Sequence, residues 1–146
     1  MVRGDVTMFV LRALTAFLPS GMTKNGTFAI QSSYTKVTGW IADTTNYPGS
    51  SVVSDGLVVQ AANSSATITA NIPWTGSLSM TVTVRIKNGA TVIATGTGVT
   101  GTSGTSTATA TGQTVAAGDN ITVEAISTQA NFGSVSSGTN TYVRVT

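Results

Sequence analysis

Five side chains hold all the carboxylate chemistry in this 146-residue chain: Asp5, Asp43, Asp55, Asp119 and Glu124. A glycosidase needs two carboxylates about 5–9.5 Å apart across a cleft. Asp43 and Asp55 flank one loop and could approach each other. An isolated loop aspartate, however, is ordinarily a turn former that bonds its own backbone. Calcium asks for about six to eight oxygens, several of them carboxylates. Asp119-Asn120 with nearby carbonyls could seed a weak site, and closing the Gly118-Asp119 turn is the competing role. Glu124 falls mid-strand, where an outward side chain is solvated or pairs with an arginine across the sheet. The sequence contains no His and no Cys. The usual zinc, copper and haem ligations and the Ser-His-Asp arrangement therefore lack their ligands and base. A Ser–Lys pair would fall to Lys24, Lys36 or Lys87, and nothing singles one out. The expectation is no catalytic residue, no cofactor and no metal.

Aromatic residues offer a second kind of chemistry. Trp40, Tyr47 and Trp74 could form a platform for sugar rings and are the candidate glycan contacts. Trp74 follows Pro73 at a strand end, where an indole equally well plugs a core.

These residues must be positioned by β structure. Met80, Val82, Val84 and Ile86 alternate with Thr81, Thr83, Arg85 and Lys87, the period of a strand with one buried face. Asn88-Gly89 follows as a hairpin signal. If those two residues alone make the turn, Val84 faces Ile93, Ile86 faces Thr91 and Arg85 lies opposite Val92. Further short strands are predicted at 26–31, 34–40, 56–61, 66–72, 106–112, 119–127 and 139–146. The span 42–56 reads as a long polar connection. Residues 96–112 are low in complexity and read either as a flexible loop or as a Thr-rich edge strand. Nine or ten short, evenly spaced strands predict an all-β, antiparallel sandwich of the jelly-roll kind.

Composition fits that class. Charged residues make up only 8% of the chain, against about 25% in ordinary domains. The surface must be polar without charge, and 28 threonines supply it. The seven basic residues are scattered without a run, which argues against a nucleic-acid partner.

The first 21 residues differ from the rest. Met8, Phe9, Val10, Leu11, Leu14, Phe17 and Leu18 are large and apolar, with Arg12 among them and Pro19 and Gly21 behind them. A membrane span needs about 20 apolar residues, and this run is too short. Arg12 and Asp5 also fit a signal peptide poorly. A partner-docking segment, helical or extended, and a helix packed on the chain's own sheet both remain open. The expected organisation is a docking segment at 1–21 and a jelly-roll domain at 22–146.

A resemblance joins these features. The order is a strand ending in TGW, a YPG loop, GLVVQ, ATITANIPW, VRIKNG, AAGDNITVEA and a terminal YVRV. It resembles the trimeric jelly rolls of the tumour-necrosis-factor and complement type. The matching landmarks are Arg85–Gly89 and Ala116–Ala125. The wording GMTKNG, YTKVTGW and ADTTNYPGS is similar to small minor tail or decoration proteins of phages that infect actinobacteria. The resemblance covers residues from about 22 to 146. It departs at the N-terminus, where complement-type relatives carry a collagen-like stalk.

The resemblance implies a homotrimer, with outer-face apolar residues such as Val92 or Val123 as seam candidates. It also implies a structural virion protein on a tail or capsid, docked to other virion proteins, in contact with a host surface glycan or not. The alternative class is a secreted carbohydrate-binding or adhesin module.

Overall fold

The computed structural model describes residues 16–146. All regular structure among them is β, in twelve strands. β1 (Ser20–Lys24), β2 (Phe28–Ala29), β3 (Thr35–Lys36) and β4 (Trp40–Ala42) come first. β5 (Val52–Val53) and β6 (Gly56–Val58) precede the long β7 (Asn63–Asn88). β8 (Thr91–Thr95), β9 (Val99–Val115), β10 (Asn120–Ser127), β11 (Gly133–Val135) and β12 (Gly138–Val145) complete the chain. The hydrogen-bonded order β4-β1-β12-β7-β10-β6-β5 runs antiparallel throughout. This is the all-β jelly roll that the alternating pattern predicts.

β7 ties the two layers together. Its first half bonds β12 at Ile68–Asn71, and its second half bonds β10 at Val82–Asn88. Between them the register against β9 slips from Thr75↔Ser103 to Met80↔Gly101. That irregularity bends one strand across both layers, where the sequence suggests two separate strands. Even-numbered residues from Ala66 to Trp74 and from Met80 to Ile86 all point inward. Ile121, Val123 and Ala125 of β10 and Val143 and Val145 of β12 meet them in one core.

Two turns differ from their sequence reading. In the central hairpin Asn88 pairs with Thr91, so Gly89-Ala90 forms the turn. Asn88 stays in the strand because its amide donates to Asp119 Oδ2 at 2.9 Å and Gly89 N donates to Asn120 O at 3.0 Å. That turn places Lys87 opposite Val92, and a register irregularity between Ile86 and Lys87 then places Arg85 opposite Thr95. The span 42–56 is not wholly loop. β5 and β6 form a hairpin whose turn residues Ser54 and Asp55 both have positive φ, 51° and 58°. That is the handedness a two-residue hairpin needs, and the usual Asn-Gly signal is missing from its sequence.

The low-complexity region is ordered as β9. Ser106, Ala108 and Ala110 alternate inward while Thr105, Thr107 and Thr109 face out. β9 pairs with β7 alone and is a Thr-rich edge.

Candidate functional site

Each described acid serves the backbone or a strand partner. Asp43 takes Asn46 N at 3.2 Å and the Asn46 amide at 3.0 Å. Asp55 accepts from Gly39 N at 2.7 Å. Asp119 accepts from Ala116 N at 3.0 Å, closing its turn. Glu124 Oε1 lies 2.7 Å from Arg85 Nε. Asp43 and Asp55 thus have separate partners. Among the described residues no three acids, histidines or cysteines cluster as a metal site would require. Asp5 lies outside the described residues.

The tryptophans do not form a sugar platform. Trp40 is 6% exposed and Trp74 1%. The Trp40 indole donates to Val37 O at 2.9 Å, and that of Trp74 to Ser106 Oγ at 3.0 Å. Ser106 Oγ passes the bond on to Val82 O at 2.9 Å, bracing β9 against β7 inside the core. Both indoles point inward because burying the ring and satisfying its N–H are met together there.

Tyr47 takes another role. Its ring packs against Gly21, where any Cβ would collide with it. Gly21 pairs with Arg144 of β12. The Arg144 guanidinium lies 3.6 Å from the Tyr142 ring centroid and 5.7 Å from that of Tyr47. Val143 and Val145 point into the core, so Tyr142 and Arg144 lie on the outward side of the layer β4-β1-β12 and the first half of β7. Arg144 Nε is shielded from solvent and has no acceptor among the described residues. A buried N–H without a partner is uncommon and costs about 1–3 kcal/mol. Thr69 and Asn71 of β7 continue this face across the register with Arg144 and Tyr142. No sequence signal marked it, because the glycine that seats Tyr47 and the arginine beside it are far apart in sequence.

The opposite layer has a different surface. Arg85 stacks 3.9 Å above Tyr34 while bonded to Glu124, and Lys87 Nζ stands 3.9 Å from Glu124 Oε2. Val123, a seam candidate by sequence, is fully buried beneath this surface. It faces inward because Glu124, its neighbour in β10, takes the outward position opposite Arg85. Val92 is 41% exposed.

The expected docking segment divides. Met8, Phe9, Val10, Leu11 and Leu14 lie outside the described residues. Phe17 is partly buried against the chain's own core, while Leu18 is 51% exposed. Ser20 and Gly21 already belong to β1, so the sheet begins before residue 22. No helix among the described residues is long and apolar enough to cross a membrane.

With this geometry in place, two solved structures are similar to the chain. One is Eiger, a TNF from S. frugiperda, with a TM-score of 0.58 and 11% identity over 88% of this chain and 90% of that one. The other is murine APRIL, with a TM-score of 0.57 and 14% identity over 89% of this chain and 98% of that one. At such identities the likeness is one of fold: the chain is a TNF-like jelly roll. No protein-family model and no curated protein matches the sequence.

Proposed function

We propose that this chain is a non-enzymatic structural subunit of a bacteriophage virion, a homotrimeric jelly roll on a tail or capsid. The observation that carries self-association is Arg144. Its Nε is held out of solvent with no acceptor among the described residues, between two tyrosines on a face that also carries Thr23, Thr69, Asn71 and the half-exposed Ile41. A neighbouring copy that brings a carbonyl or hydroxyl to this face would satisfy the group and bury both rings. Tyrosine and arginine are the residues on which interfaces most often depend. The TNF-like fold supports this reading, because the jelly rolls that the sequence resembles associate as trimers. Placement on a virion is supported by the resemblance of residues 22–146 to phage tail and decoration proteins. Met8, Phe9, Val10, Leu11 and Leu14 would then dock the trimer on its particle.

Sedimentation at micromolar concentration tests the first part, with a mass three times 14.7 kDa expected. A monomer of the full chain would overturn it. Antibodies raised against the chain should decorate purified particles in electron micrographs. Particles bare of label, with the chain found only outside them, would overturn the virion placement.

A further inference from the structure

Beside the Arg85–Glu124 pair the outer surface of the second layer sinks into an open depression of about 350 Å³. Its lining is Ser32, Thr81, Thr83, Ile126, Ser127 and Thr128. Five of these six carry hydroxyls and none carries a charge. The volume is at the lower end of the range for small-ligand sites, about 300–1,000 Å³.

Three of the hydroxyls can serve a ligand. Ser32 and Thr83 use theirs in no hydrogen bond to another described residue, whereas Ser127 Oγ is engaged with Met80 Sδ at 3.2 Å and Gln129 N at 3.1 Å. Thr128 Oγ1 accepts from Thr81 N at 2.9 Å, which leaves its O–H free to donate. A Cβ at Gly98 would stand 3.0 Å from Thr83 Oγ1, so the glycine keeps that hydroxyl uncrowded. Thr83 and Ile126 are direct partners across β7 and β10, and Arg85 and Glu124 are the next outward pair. An apolar side chain is therefore flanked by free hydroxyls on one side and by a compensated ion pair on the other.

We infer that this depression binds a neutral saccharide, one pyranose resting its C–H face on Ile126 while its hydroxyls exchange hydrogen bonds with Ser32, Thr83 and Thr128. An apolar ligand would strand the lining hydroxyls without partners. An anionic sugar would meet Glu124, and the nearest guanidinium is already committed to that carboxylate and to the Tyr34 ring. A polyol supplies both donors and acceptors and needs no charge. The site is distinct from Trp40, Tyr47 and Trp74, and it lies on the layer opposite that of Arg144.

The test is titration of the isotope-labelled full chain, at neutral pH, with glucose, galactose, mannose, N-acetylglucosamine and N-acetylneuraminic acid to tens of millimolar. At least one neutral sugar should give saturable shifts confined to the amides around Thr83, Ile126 and Thr128. Thr83→Val keeps the branched shape and removes one hydroxyl; Ser32→Ala removes another. Each should weaken that sugar about three- to tenfold, the range of one lost hydrogen bond, with the spectrum of the free protein otherwise preserved. Absence of saturable shifts with every neutral sugar, equal binding by both variants, or binding of N-acetylneuraminic acid alone would each overturn the inference.

Discussion

The two outward faces of the sandwich each hold one strand arginine, and they treat it in opposite ways. Arg85 is bonded to Glu124 at 2.7 Å across β7 and β10 and stacked on Tyr34. Its charge is compensated inside the chain. Arg144 has two tyrosine rings, no acid and an Nε without an acceptor among the described residues. The first arginine is satisfied within the chain, and the second is satisfied only when something else supplies an acceptor. In a chain with five acids and seven basic residues, where those few charges are compensated is the most informative surface feature.

Replacing Val84 by Asp should have the largest effect and destroy both faces. Val84 is fully buried in the core that both layers share. An unpaired carboxylate there should cost more than about 4 kcal/mol. Loss of the β signal in circular dichroism is expected, and a soluble variant with unchanged melting would refute the shared core.

The next two substitutions separate the faces. Tyr142→Ala should weaken self-association by about 2 kcal/mol or more, roughly thirtyfold or greater, as expected when an interface anchor is removed. Arg144→Met keeps the apolar stem and deletes the orphaned N–H. Sedimentation should show it shifted toward monomer, while the monomer itself melts no lower than that of the native chain. A fully associated Arg144→Met protein would show that the guanidinium has no partner in the assembly. On the other face, Glu124→Gln should cost about 1 kcal/mol in denaturant unfolding and leave the oligomer intact. A loss of assembly in Glu124→Gln would reverse the assignment of the two faces.

The smallest effect concerns Lys24, at the end of β1. Burial pushes its ammonium below the ordinary value of 10.5, and the Asp55 charge pulls it partly back. Nζ donates to Gly26 O at 2.7 Å. Because the folded chain gives up this proton at lower pH than the unfolded chain, the unfolded state binds more protons between the two values. The Lys24 contribution to stability should therefore rise as pH climbs from the lowered value toward 10.5. Comparison of denaturant midpoints should show that rise in the native chain relative to Lys24→Met. A difference between the two proteins that is flat or falls over this window would contradict the burial.

Much of the fold was legible in local pattern. The alternation of Met80 to Ile86 located the core face of β7, and the spacing of turn residues located most strands. The Thr-Ala alternation of 105–110 was compatible with an edge strand, but composition alone left a flexible loop equally open. What decided it was packing: Trp74 needs an acceptor, and Ser106 supplies one only when β9 is paired with β7. The hairpin turn moved by one residue because Asp119, thirty-one positions from Asn88, holds the Asn88 side chain. The Ser54-Asp55 turn was missed for a similar reason. Its left-handed backbone is stabilised from outside by Asp55 accepting the Gly39 and Trp40 amides, at 2.7 and 3.4 Å.

The aromatic residues show the same division. Their presence in the sequence established that rings were available, and only the packed chain determined which way each pointed. Trp40 and Trp74 went inward, where backbone or side-chain oxygens receive their N–H groups. Tyr47 settled on Gly21, and the hydroxyl-lined depression was assembled from residues that lie apart in sequence.

By itself, the sequence determined the class of the protein and the poverty of its acid–base chemistry. Strand period and amino-acid content are local properties that any register of the same strands would preserve. Tertiary structure decided which arginine found an acid, which glycine received a ring and which threonines were left with free hydroxyls. Those outcomes depend on distances between residues remote in the chain, and such distances exist only once the layers have packed.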